Sequence, residues 1–206
     1  QLGNIDLGSA NRIEVLRGPS PSLYGNAGGG VVAIHSSPPM AGAWRVQPGV
    51  IIGSDGLWRS QLRVAGGNGE HRVAVNLRRL QLDGFRHHSE SRVYGASIIG
   101  QHRLSPTWQL VSVLNIYDAP YLLNPSSMAR NDADTRPRYA RGFVVAQGAS
   151  KTARQVQGGV TLRHESNATR TELTLFGVDR SLYSPIPGAV IDLDRVSGGL
   201  RATHSR

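Results

Sequence analysis

From Trp44 to the C-terminus the chain repeats one pattern: about ten residues of alternating polarity, then a short run of turn formers. Alternation at every second position is the mark of a strand with two unlike faces. The pattern predicts strands at Trp44–Gly53, Trp58–Gly66, Arg72–Leu82, Arg92–His102, Trp108–Asp118, Ala153–Glu165, Arg170–Arg180 and Leu193–His204. In the third of these, Val73, Val75 and Leu77 share one face, and Ala74, Asn76 and Arg78 the other. In the sixth, Val156, Gly158, Val160 and Leu162 oppose Gln155, Gln157, Thr161 and Arg163. Pro48 interrupts the first strand, a residue that interior strands avoid. Gly66-Gly67-Asn68-Gly69, Ser105-Pro106-Thr107 and Ser166-Asn167-Ala168 read as tight turns. Longer connections are expected at Asp83–Ser91, Ala119–Thr152 and Ser181–Asp192, with a loop at Tyr183–Gly188. Ser54–Leu57 is a short turn on the side of the longer connections.

An all-β chain of this kind has two solutions. In a soluble sandwich the apolar faces stack on each other and the polar faces meet water. In a membrane barrel the apolar face meets lipid and the polar face a wet interior, and short turns alternate with longer loops. Alternation by itself does not separate them.

Composition narrows the field. The 206 residues contain no cysteine, which removes disulfides and thiolate metal sites. Net charge is +9, and Lys151 is the only lysine, so the positive charge is almost all arginine. A basic chain suggests nucleic acid as a partner, but here the arginines are spread along alternating strands instead of gathered on one tract, and no nucleic-acid partner is expected. No apolar run is long enough for a spanning helix. That rule does not bear on barrel strands, whose signal is far weaker.

The stretch from Arg12 to Ile34 is different in kind: RIEVLRGPSPSLYGNAGGGVVAI. Arg12, Glu14 and Leu16 alternate with Ile13 and Val15, then Gly18-Pro19 forces a turn. Leu23-Tyr24-Gly25 follows, then Gly28, Gly29 and Gly30, which permit backbone angles closed to other residues, then the apolar run Val31–Ile34. A phosphate cradle would need a Lys-Ser or Lys-Thr after the glycines, or a helix, and the chain has neither. Arg17-Gly18-Pro19, Leu23-Tyr24-Gly25 and Gly29-Gly30-Val31-Val32-Ala33-Ile34 together resemble the end of the plug domain of TonB-dependent outer-membrane receptors. Ala33 stands where that family commonly has Asn, and His35-Ser36-Ser37-Pro38 replaces its usual threonine-lysine exit.

The resemblance implies two domains: residues 1–37 as the C-terminal part of an α/β plug, and residues 38–206 as the first part of a transmembrane β-barrel, with the break at Pro38-Pro39. A barrel that holds a plug needs about 22 strands, so the eight expected here are one part of a large antiparallel barrel, and the chain reads as a piece of a longer receptor. By the same resemblance the function is TonB-dependent uptake of a scarce nutrient, chiefly a ferric siderophore, across the bacterial outer membrane. The implied partners are TonB, through a segment outside this chain, a small ferric chelate, and outer-membrane lipid with lipopolysaccharide. Asn4-Ile5-Asp6-Leu7 is similar to the branch that takes up pyrroloquinoline quinone. The resemblance implies that Arg17 locks plug to barrel by pairing with glutamates of the inner barrel wall, with Arg12 and Glu14 either in the same network or simply facing the lumen; a solvated strand-end arginine is the plainer reading of Arg17. An adhesin or structural β-domain without transport is the reading of another class.

Ligand contact is expected from loop residues that offer aromatic surface and cations for a chelate: Tyr117, Tyr121, Arg136, Arg138 and Tyr139, with Arg130 and Arg141 beside them. A solvated loop near lipopolysaccharide phosphates is the plainer reading of the same residues. His87-His88 lacks a third metal ligand at useful spacing, so no metal is expected. Trp44, Trp58 and Trp108 stand at strand starts, where interfacial aromatic girdles belong. Asp192 and Asp194 share a strand face but make no catalytic set by themselves, and no nucleophile elbow or H-E-x-x-H is present. No catalytic residue, no resident cofactor and no enzymatic activity are expected.

Overall fold

The computed structural model describes residues 10–18, 28–36 and 41–206. The chain divides into two compact units, Gln1–Pro38 and Pro39–Arg206. In the first, β1 (Ala10–Arg17) pairs antiparallel with β2 (Gly30–Ser36). In the second, eight strands form one antiparallel sheet in sequence order: β3 (Gly42–Ile52), β4 (Trp58–Gly67), β5 (His71–Leu82), β6 (Ser91–Arg103), β7 (Trp108–Leu123), β8 (Ser150–Glu165), β9 (Arg170–Ile186) and β10 (Ala189–Ser205). β3 and β10 are the two edges and do not pair with each other. The sheet is therefore not a closed eight-stranded barrel but an open meander, the topology of a segment of a larger one.

Turn chemistry fixes the register. At one end of the sheet, the Asn68 side chain accepts bonds from the N–H groups of Glu70 (2.9 Å) and His71 (2.6 Å), and the Ser105 hydroxyl accepts from Trp108 N–H (3.1 Å). These are side-chain-closed turns that reverse the chain in few residues. At the other end, Asp55 (φ 55°) and Gly56 (φ 69°) carry the left-handed angles of a two-residue hairpin turn between β3 and β4. Pro48 lies on β3 opposite Leu62 of β4, the one strand that pairs with β3 among the described residues.

Two stretches expected as loops are instead strand. β7 continues to Leu123 past a bulge between Ala119 and Leu122, and β8 starts at Ser150. The true connection, residues 124–149, holds two short helices, α1 (Arg130–Thr135) and α2 (Gly142–Ala146). The loop expected at Tyr183–Gly188 is the tip of a hairpin: β9 runs to Ile186 and the chain turns at Pro187-Gly188, with Gly188 at φ 80°. Above Tyr183, β9 pairs only with β10, so Pro185 removes no bond to β8. The sequence hid this ribbon because prolines and serines are turn formers only when no partner strand holds them straight.

The ladder sorts side chains into two faces. One is apolar: Leu62↔Leu77, Val64↔Val75↔Ile98↔Leu114 and Ile116↔Val156 run across it. The other is polar: Arg63↔Asn76↔Ser97↔Asn115↔Gln157 is one row. The apolar face is the bare one. Trp44 (63%), Leu200 (67%) and Val196 (82%) stand exposed on it, whereas Ala74 (0%), Ser97 (2%), Ile99 (4%) and Tyr117 (5%) are covered on the polar face. Crowding on one side and exposure on the other is what a sheet curled toward its polar face produces. A sandwich requires the opposite, and within Pro39–Arg206 the eight strands form one sheet and not two stacked ones.

Candidate functional site

The polar face is held by side-chain bonds that run across strands. Arg63 Nη1 donates to Asn76 Oδ1 (3.1 Å), and Asn76 Nδ2 to Ser97 Oγ (2.9 Å). Arg163 donates to Gln109 Oε1 (3.0 Å) and to Glu172 Oε1 (2.7 Å), which Arg170 also reaches at 2.6 Å. Each such pair contributes modestly, on the order of 0.2–1 kcal/mol, but together they set a hydrated, hydrogen-bonding wall. Gly159 leaves a hollow of about 390 Å³ in it, lined by Val111, Val113, Asn115, Gln157, Thr161 and Phe176. A Cβ at Gly159 would sit 3.2 Å from the Phe176 Cβ.

At the loop end, Arg86 is the organising residue, and sequence reasoning passed over it. Its guanidinium donates to the carbonyls of Tyr139 (3.1 and 2.9 Å), Pro125 (3.1 Å) and Ser126 (2.5 Å). Next to it, His87 N–H donates to Arg138 O (2.8 Å), and the His88 ring bonds Ala149 O (2.8 Å). The 83–90 loop thus clamps the 124–149 loop. His87 and His88 act in that clamp, and no metal-ligating cluster occurs among the described residues. A planar fork with several fixed donors suits this job, because one side chain can satisfy carbonyls from three residues at once. Nothing in the local sequence separates Arg86 from the other loop arginines, since its partners lie about 40 to 50 residues away.

The loop candidates do not come together. Tyr117 is buried on the polar face, clustered with Ala119 and Ala153 against Val93, Leu122 and Leu182. Tyr121 lies beyond the β7 bulge on the apolar face, where Arg92 sits 5.3 Å over its ring. Arg136, Arg138 and Tyr139 do share the 124–149 loop. Arg136 stacks over Tyr139 at 4.1 Å and bonds Asp132, whose carboxylate raises the Arg136 pKa above its ordinary value. Arg138 stands 5.1 Å over Phe85. Arg130 opens α1, and Arg141 precedes α2. Of the tryptophans, Trp58 is exposed near the loop end of the apolar face, and Trp44 and Trp108 near the tight-turn end, so both rims carry indole rings.

In the first unit, Glu14 pairs with Arg12 and with His35 Nε2 (3.3 Å), an ion-pair set on adjacent strands. Arg17 ends β1 opposite Gly30 and, among the described residues, makes no ion pair. Gly18 (φ 94°) and Gly30 (φ 125°) hold angles that other residues rarely adopt. A Cβ at Gly30 would stand 2.6 Å from Leu16 O, so this position requires glycine. Gly29 precedes it in a bend. Pro19, Leu23, Tyr24 and Gly25, and the Asn4–Leu7 stretch, lie outside the described residues.

No protein-family model matches the chain. Solved structures do. The ferric yersiniabactin uptake receptor FyuA of Yersinia pestis matches with a TM-score of 0.73 at 17% identity, over 94% of this chain and 33% of that one. A mutant of the ferric enterobactin receptor PfeA of Pseudomonas aeruginosa matches with a TM-score of 0.63 at 17% identity, over 96% and 33%. This chain spans about a third of the length of each. The open antiparallel meander thus has the receptor fold expected from the plug-like motif, and the resemblance to TonB-dependent outer-membrane receptors holds at the level of the fold.

Proposed function

We propose that the chain is part of a TonB-dependent receptor that carries a ferric siderophore across the bacterial outer membrane. In this reading Gln1–Pro38 belongs to the plug, and Pro39–Arg206 forms eight strands of the barrel. The apolar face meets lipid, the polar face lines the aqueous interior, and the 83–90 and 124–149 loops face the cell exterior. The single observation that carries the reading is the reversal of burial: large apolar side chains exposed on one face of an open meander, with the polar face covered. Water would punish that arrangement, and lipid rewards it. The names of FyuA and PfeA, both ferric-chelate receptors, favour a siderophore as cargo over other nutrients. TonB coupling comes from the plug resemblance. Both matched structures are receptors for ferric chelates, which favours transport over an enzymatic role.

The test is uptake. A strain whose only iron receptor is the complete protein should take up radiolabelled iron from one of a panel of defined ferric siderophores, and lose that uptake when tonB is deleted. Growth and uptake indifferent to both the receptor and TonB would sink the proposal in favour of an adhesin or structural role.

A further inference from the structure

Of the chain's seven histidines, four stand on the apolar face at its tight-turn end: His71, His102, His164 and His204. They are engaged in different ways. His164 lies against the Trp108 ring, centroids 4.6 Å apart, and His204 Nδ1 meets Thr171 Oγ1 at 2.9 Å. His71 and His102 instead meet each other. They are directly opposed on β5 and β6, with Nδ1 atoms 3.3 Å apart, ring centroids 5.4 Å apart and ring planes at 46°.

The backbone under this pair is fixed. Asn68 N–H donates to His71 O (2.8 Å), and Asn68 Oδ1 accepts from His71 N–H (2.6 Å). Arg103 N–H donates to Glu70 O (2.7 Å), tying the residue after His102 to the residue before His71. Gly100 makes room for the His102 ring. A Cβ there would lie 3.1 Å from His102 Nε2 and 2.6 Å from Ser112 Oγ, so the outer nitrogen of His102 rests in a niche beside a hydroxyl. The His71–His102 row continues as Leu110–Leu162–Leu173–Ala202, and the row beneath it reads Val73–Gly100–Ser112–Val160–Leu175–Leu200. Neither row holds an arginine, a lysine or a carboxylate. Arg72 and Arg103 flank the pair in sequence but belong to the polar face, and Glu70 is exposed in the turn.

Two nitrogens at this separation have the spacing of two ligands on one ion: a tetrahedral site with Zn–N bonds of about 2.0 Å has an edge of about 3.3 Å. We infer that His71 and His102 form a two-histidine chelate for a divalent transition ion, zinc, nickel or copper, with water on the remaining positions. Both Nδ1 lone pairs bind the metal, so each ring keeps its proton on Nε2, and the Ser112 hydroxyl lies beside the one on His102. Imidazole suits all three ions, with copper the tightest. Two protein ligands are fewer than a resident zinc site uses, so binding is reversible and open to solvent. The ion pins the tight-turn ends of β5 and β6 to each other, whatever cargo the receptor carries.

The test uses the complete receptor in detergent, free of affinity tags, stripped with a chelator and titrated calorimetrically with each ion near neutral pH. A site is expected that weakens at least about tenfold in His71→Gln or His102→Gln and holds in His164→Gln. Lowering the pH to about 5 should also weaken it at least about tenfold, because both rings must be unprotonated to bind. Heat-modifiable gel migration checks that each variant folds. Copper at one equivalent needs no variant: pulsed electron paramagnetic resonance should show two imidazole nitrogens coupled to the ion. A double Gln variant that binds every ion as tightly as the parent, or a copper spectrum with fewer than two imidazole nitrogens, overturns the chelate. Equal loss in His164→Gln makes metal binding a property of the whole histidine rim and overturns the assignment to this pair.

Discussion

Val113 and Leu114 are neighbours in β7 and look in opposite directions. Val113 faces the hollow on the polar side, beside Asn115 and Gln157. Leu114 lies in the row Val64–Val75–Ile98 on the apolar side. The two faces differ in what stabilises them. The polar face is joined by side-chain hydrogen bonds across strands and covered by its own crowding. The apolar face has almost no such bonds in its central rows and needs an apolar solvent. The comparison teaches that burial can run against polarity when the surroundings are not water, and that such a reversal is a stronger sign of a barrel than alternation.

The largest test of that contrast removes the solvent's partner, the rest of the barrel. Expressed alone, this chain should fail to insert stably, because the unpaired backbone of β3 and β10 would face hydrocarbon at a cost of several kcal/mol per group. Heat-modifiable gel migration in detergent reads this directly, and a folded, inserted product would break the picture. A smaller effect separates the faces one residue apart. In the complete receptor, Leu114→Arg should cost about 2–4 kcal/mol in lipid-reconstituted unfolding, and Val113→Arg about 1 kcal/mol or less. Equal costs would mean that the faces are misassigned.

The smallest effect is local and belongs to neither face. Arg86→Gln removes the charged donor shared by Tyr139, Pro125 and Ser126. Amide exchange in residues 124–149 should quicken by the equivalent of about 2 kcal/mol, while global unfolding stays put. An unchanged exchange pattern would show that the loop is held by its own helices and not by the clamp.

Much of this was legible before any coordinates. Strand positions from Trp58 to His102 follow from alternation, and the tight turns from Asn68 and Ser105. The plug-like motif pointed to the receptor fold. What escaped reading has a common cause. β7 past Asp118 and β9 past Arg180 look like loops, because their Pro and Ser residues are straightened by partner strands that local composition does not reveal, β8 for Leu122 and Leu123 and β10 for Ser184 and Pro185. Tyr117 looks like a loop aromatic but is buried by Val93 and Leu182 from other strands. Arg86 looks like any solvated cation.

By itself the sequence determined the period of two and the turn chemistry, since both depend on neighbours along the chain, whereas the glycine requirement at Gly30 comes from Leu16 O across the β1–β2 ladder. Tertiary structure alone decided which face is covered, how far the hairpins extend, and which of the arginines ends as the loop clamp. Those outcomes depend on cross-strand register, and register is set between residues that the chain order keeps apart.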